Sequence, residues 1–238
     1  MCKRAADLQR SNHLMSDQSG QICYLCGESI EGKSSDDHIP PKQFYPKEIR
    51  ENKNLNLQLA PSHEQCNNAY KDDEEYFYAS LYPLVEKHNP EIAATILRDF
   101  ARRCKNPQMP AMLRKIFGDA SGTSQGGIIL PAGVVEINVD LYKIQRIAGK
   151  IARGALFLSK EIYIPESNIV DMRICPEESE VPDMYQISWK IAGSIKGPYP
   201  KVFSYKYIQY EEYHIISLLF WEAFMFCITI QGADGSNT

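Results

Sequence analysis

The sequence predicts an α+β fold: a short N-terminal unit organised by paired Cys and His residues, then helices, then a small, mainly antiparallel sheet. Three observations carry this reading. The pairs "CYLC" and "SHEQC" bracket a strand-like stretch and a helix start. Capped helical patterns follow over residues 89–118 and 139–159. Beyond residue 160 the chain alternates short apolar segments with turn residues, the pattern of strands.

The 238 residues, 44% hydrophobic and 24% charged, are those of an ordinary soluble protein with a real core. The first twenty residues are polar and carry no apolar signal region, which predicts a cytoplasmic protein. The longest apolar run, "IISLLFWEAFMFCITI", contains Glu222 and is rich in β-branched and aromatic residues. It predicts a buried strand or strand pair, and no membrane partner. Charge is uneven. Residues 76–160 hold 12 basic and 6 acidic groups inside a chain of net charge -4, so the middle of the chain can steer a polyanion.

Seven cysteines without an export signal point to metal rather than to disulfides. Cys2, Cys104, Cys175 and Cys227 stand alone as ordinary thiols. Cys23 and Cys26 form one pair and His63 and Cys66 another at the same separation, a ligand set suited to tetrahedral Zn²⁺. Ser62 and Gln65 make a capping-box pattern, so a helix is expected to start at Ser62, with His63 and Cys66 one turn apart. Asn67 and Lys71 continue it four residues apart. Upstream, "NLNLQLAP" alternates as a half-buried strand does. In "SSDDHIPPKQFYP" the prolines end regular structure and leave Asp36, Asp37 and His38 at the end of a strand.

The stretches "CYLCGESI", "DDHIPPKQFYP" and "NLNLQLAPSHEQCNNAYKDDEEYF" together resemble the HNH endonuclease family, with its ββα-metal fold. The resemblance spans about residues 21–77. His63 stands where a cysteine is more usual, and Asn67 where the third motif letter is often His. The resemblance implies hydrolysis of DNA phosphodiester bonds, with His38 as general base and a single Mg²⁺ or Mn²⁺ held by Asp37 and the amide oxygen of Asn67. Zinc at Cys23, Cys26, His63 and Cys66 would then be structural. Asn56, with Asn54 as the alternative, would hold the loop that carries the base. Lys42 and Lys71 could meet a phosphate or simply be solvated.

The organisation expected is a flexible tail over 1–20, a zinc-stabilised HNH module over 21–80, a helical connection over 81–118 and an α+β C-terminal domain over 119–238. In "DDEEYFYASLYPLVEKHN" the acids suit a helix start, and Pro83 interrupts the helix. Asn89 caps a helix with Pro90 at its first position. "MPAMLRKIFG" reads as a short helix from Pro110 to Gly118, "DASGTSQGG" as a loop, and 127–138 as a strand. In "DLYKIQRIAGKIARGALFLSK", Ile144, Ile147, Ile151 and Leu156 give helical anchors. Lys143, Arg146, Lys150 and Arg153 line an adjoining face, either as a phosphate-tracking stripe or as a solvated face. "NIVDMRIC", "YQISWKIAG", "VFSYKYIQY" and the terminal run read as strands, and "QGADGSNT" as a loose tail.

The partner expected is DNA, with RNA compatible with the same basic stripe, and a regulatory protein or ligand at the C-terminal domain. Two other classes fit the same residues. One is a non-catalytic zinc module that binds nucleic acid or protein. The other is a nuclease effector, of defence or toxin type, held inactive until triggered.

Overall fold

In a computed structural model of the chain, the described residues are 21–85, 89–118, 122–124, 126–131, 136–175 and 180–232. The tail expected over 1–20, including Cys2, and most of the C-terminal tail lie outside them.

Strand β1 (Ser34–Ile39) pairs antiparallel with β2 (Gln58–His63), with Asp37 opposite Ala60 and His38 opposite Leu59. Between them lie a 3-10 turn, Lys42–Phe44, and helix α1 (Lys47–Asn52). β2 runs directly into α2 (Glu64–Asn68), and α3 (Lys71–Leu81) follows after a short break. The expected capping box does not form. Ser62 belongs to β2 and donates its hydroxyl to the Ser35 carbonyl at 3.0 Å, so the helix starts after His63. Strand pairing wins here because Ser62, fully buried, needs its partner across the hairpin. The chain leaves α3 through a 3-10 turn that contains Pro83, as the missing amide requires.

Helix α4 (Pro90–Arg103) starts as its sequence predicts, with Asn89 Oδ1 accepting the Ile92 amide at 3.2 Å. Helix α5 (Gln108–Phe117) begins two residues before the expected Pro110. The strand expected over 127–138 falls partly outside the described residues. Within them, only an isolated bridge between Thr123 and Ile129 forms in the first part of that range. Helix α6 (Leu141–Lys160) is the longest, capped by Asp140 and closed by Glu161 in the left-handed region.

A five-stranded antiparallel sheet completes the chain. It comprises β3 (Ile169–Cys175), β4 (Lys196–Tyr199), β5 (Phe203–Tyr210), β6 (Tyr213–Phe220) and β7 (Phe224–Gln231), in the order β3-β7-β6-β5-β4. The terminal apolar run is the β6–β7 hairpin. Its turn residues Trp221 and Glu222 both have positive φ, as a tight hairpin turn demands. "YQISWKIAG" is a correction, because it lies largely in helix α7 (Asp183–Ile191). Tyr185, Ile187, Trp189 and Ile191 mimic strand alternation. Folded as a helix, the segment buries Tyr185 and Ser188 one turn apart against the sheet, with the Tyr185 hydroxyl 2.7 Å from Thr229 Oγ1.

Among the described residues one contiguous core runs across the expected boundaries at 80/81 and 118/119. Phe44 of the hairpin loop stacks on Phe77 of α3 at 5.1 Å, and Phe77 packs against Phe220 and Phe226 of the sheet at 5.2 and 5.5 Å. Ile144, Ile147, Ile151, Ala152 and Ala155 of α6 have no exposed surface. Gly154 lets α6 approach the hairpin, since a Cβ there would stand 2.6 Å from Ile39 Cδ1.

Phe77→Ala is expected to cost about 3–5 kcal/mol, the usual range for a large aromatic cut from a core. In urea, tryptophan fluorescence and far-ultraviolet circular dichroism should report one coincident transition for the parent. Two separated transitions would show that the segments fold as independent units.

Candidate functional site

The first feature is a cluster of three cysteines and a histidine. Cys23 and Cys26 lie in the turn before β1, His63 ends β2, and Cys66 sits on α2. Their donor atoms all lie within 4.8 Å of one another. His63 Nδ1 is 3.4 Å from Cys26 Sγ and 3.8 Å from Cys66 Sγ. The other ring nitrogen, Nε2, is 3.2 Å from the Ser29 carbonyl oxygen. A carbonyl only accepts, so Nε2 carries the proton and Nδ1 turns its lone pair to the thiols. Tetrahedral zinc, with bonds of ~2.3 Å to sulfur and ~2.0 Å to nitrogen, puts its donors roughly 3.5–3.8 Å apart. These residues fit a closed, structural zinc site.

The thiols differ in acidity. Burial opposes ionisation of Cys23, but amide donation from His63, Cys26 and Leu25 outweighs it and brings the group down to about 7. Burial and the neighbouring Cys23 and Cys26 push Cys66 up to about 12 in the absence of a cation. A metal ion that shares their charge removes that penalty.

The second feature is a cleft of about 300 Å³ bordered by Asp37, His38, Lys42, Asn67, Lys71 and Glu74. The hairpin supplies the first three and the helices α2 and α3 the rest, and the Cys and His cluster lies where the hairpin passes into α2. His38 is half-buried and makes no side-chain hydrogen bond among the described residues. Burial lowers its pKa, Lys42 adds to the effect and Asp37 opposes it, so the imidazole is held neutral at neutral pH. Lys42 and Lys71 are exposed on the rim. Asn56 is exposed in the segment before β2 and does not border the cleft, and Asn54 adopts a positive φ at the end of α1.

Beneath the cleft the arrangement departs from expectation. Asp37 is buried, and its Oδ2 accepts from the Tyr24 hydroxyl and from Lys150 Nζ, the latter at 2.7 Å. The same ammonium lies 2.5 Å from Glu74 Oε1 and 3.4 Å from Asn67 Oδ1. Asn67 also donates its amide to Ser35 Oγ at 3.0 Å. Burial raises the Glu74 carboxyl, and Lys150 pulls it back. The oxygens of Asp37 and Asn67 thus surround an ammonium, and as arranged they do not fit a divalent cation as well.

The basic face of α6 is a further correction. Lys150 has no exposed surface and Arg153 is 2% exposed. Arg153 donates to the carbonyls of Leu25 and Ile164 and to the Tyr70 hydroxyl. Arg146 pairs with Asp73 and covers the Tyr70 ring at 4.1 Å, and Lys143 lies 3.4 Å from Asp73. Lys143, Arg146 and Lys150 face the acidic start of α3 and Arg153 faces carbonyls, so Lys150 and Arg153 are closed to a phosphate and Arg146 and Lys143 are already paired. Sequence reasoning gave neither Tyr24 nor Glu74 a place in the site. A signal was present in Gly149, Ala152, Gly154 and Ala155, small residues that let a helix pack closely on more than one side.

Cys23→Ser or Cys66→Ser should lose most of the bound zinc, read by atomic emission on the purified protein. The apparent Tm should fall by roughly 5–15 °C, since each kcal/mol is worth about 2–4 °C at this chain length. Unchanged zinc content would sink the ligand assignment.

Among the described residues no helix is long and apolar enough to cross a membrane. No protein-family model, curated protein or solved structure matches the chain.

Proposed function

We propose that the protein hydrolyses phosphodiester bonds of nucleic acid, with DNA as the first substrate, and that His38 is the general base. One observation carries this reading. A Cys and His cluster of zinc type lies where a β-hairpin meets a helix start, and beside it the His38 imidazole, with no side-chain hydrogen bond among the described residues, borders an open cleft with two lysines on its rim. The order of these parts along the chain is that of the HNH resemblance.

The chemistry follows from the residues. A water beside His38 gives a proton to the imidazole as its oxygen bonds to phosphorus. The bond from phosphorus to the leaving oxygen breaks, and that oxygen takes up a proton. By the resemblance the products are a 5′-phosphate and a 3′-hydroxyl. Charge gathers on the phosphoryl oxygens, and Lys42 and Lys71 stand where they can offset it. Because the face of α6 is turned inward, the nucleic acid is expected to approach along the hairpin side. Zinc at Cys23, Cys26, His63 and Cys66 would contribute folding energy, apart from the hydrolytic step.

The test is a plasmid-nicking assay on the purified protein with a series of divalent metals. His38→Ala should lower the nicking rate by about 10²–10⁴-fold, the worth of a positioned base, with zinc content and circular dichroism unchanged. A folded His38→Ala protein that cuts as well as the parent would show that the base is elsewhere.

A further inference from the structure

The ammonium of Lys150 is held by oxygens from three elements: Asp37 on β1, Asn67 on α2 and Glu74 on α3. None of its surface reaches solvent. Burying a charge is costly unless it is paired and hydrogen-bonded, and here three partners converge on one nitrogen. The position is built by the fold and is not the chance resting place of a flexible side chain. Two glycines flank Lys150 on α6, and both make close approaches: a Cβ on Gly149 would stand 2.6 Å from Ile169 Cδ1, and one on Gly154 equally close to Ile39 Cδ1. Helix α6 is therefore seated against β1 and β3, and the lysine stem has only its own length in which to place the charge.

Two of the three oxygen donors, Asp37 and Asn67, are those the HNH resemblance assigns to a catalytic divalent ion. A divalent ion on these oxygens would stand next to the ammonium, and like charges at contact distance in a poorly screened interior exclude each other. We propose that Lys150 is the resting cation of this site, competing with a divalent ion for Asp37, Asn67 and Glu74, so that the position of α6 restrains the hydrolase. This assigns Glu74 to the cation's oxygen set and Lys150 to a positioning and restraining role. It rests on the hydrolase reading for its meaning but not for its test.

The test is a Mn²⁺ titration of the full chain, followed by the electron paramagnetic resonance of free Mn²⁺. Lys150→Met, close to isosteric, removes the charge. It should bind a single Mn²⁺ about tenfold or more tighter than the parent, because the competing charge is gone and the oxygens remain. Lys150→Arg keeps the charge and should bind as the parent does. Adding Asp37→Asn to Lys150→Met should abolish the gain. If Lys150→Met binds Mn²⁺ no better than the parent, or the gain survives Asp37→Asn, the proposal is overturned.

Should Lys150→Met not fold, the parent itself decides. Its Lys150 side-chain NMR resonance, identified by its absence from Lys150→Arg, should shift as Mg²⁺ is added, and a resonance that does not move overturns the proposal. Tighter Mn²⁺ binding by Lys150→Met without any DNA nicking would uphold the assignment of Lys150 and overturn the hydrolase reading.

Discussion

A lysine ammonium taken wholly out of water, between two carboxylates and an amide oxygen, is the constraint around which this structure is arranged. Removing one partner from such a group leaves an uncompensated buried charge, typically a cost of about 3–5 kcal/mol. The hairpin, α2, α3 and α6 must therefore keep their relative places, whatever the rest of the chain does. The Tyr24 hydroxyl completes the set by donating to the carboxylate oxygen that Lys150 also holds, and burial keeps that phenol protonated. Arg146 and Arg153, one turn to either side, repeat the pattern more loosely with Asp73 and with backbone carbonyls. Electrostatic satisfaction fixes the geometry here, and the aromatic core supplies the favourable burial.

The zinc-type cluster solves a different problem in the same region. A two-stranded ribbon is marginal alone, and α2 has only five residues, too few to be stable as an isolated helix. A metal at Cys23, Cys26, His63 and Cys66 would join that turn to the end of β2 and to α2, a helix with no buried residue of its own. The cluster takes Cys66 and the Lys150 network takes Asn67, so two adjacent residues of α2 are each tied to another part of the fold.

Much of the N-terminal half was legible because its signals are local. Ligand spacing, a capped helix start at Asn89 and a proline that ends α3 each act within a few residues. The direction in which α6 turns its basic face was not legible. Lys143, Arg146, Lys150 and Arg153 carry the same periodicity whether they meet solvent or the carboxylates of a distant helix. Only the acids at Asp73 and Glu74, about seventy residues away in sequence, decide between the two. The capping box at Ser62 and the strand expected around Tyr185 failed for a related reason. In both places a local pattern was real but a tertiary partner, the Ser35 carbonyl or Thr229, had the stronger claim on the side chain.

Asn89 shows how far such non-local claims extend. Its oxygen caps α4, while its amide nitrogen holds the Trp221 carbonyl at 3.2 Å and Glu222 at 2.8 Å in the β6–β7 turn. That turn uses two residues with side chains where glycine or asparagine would be easier. Its conformation is thus encoded 132 positions upstream. Replacing Trp221-Glu222 by the Asn-Gly pair that local turn preference recommends would relax the backbone and keep the carbonyl at position 221, but it would remove the Glu222 carboxylate, the shorter of the two contacts that Asn89 makes there. The hairpin tip and the helix start thus share one asparagine side chain, and a change at either end is felt at the other.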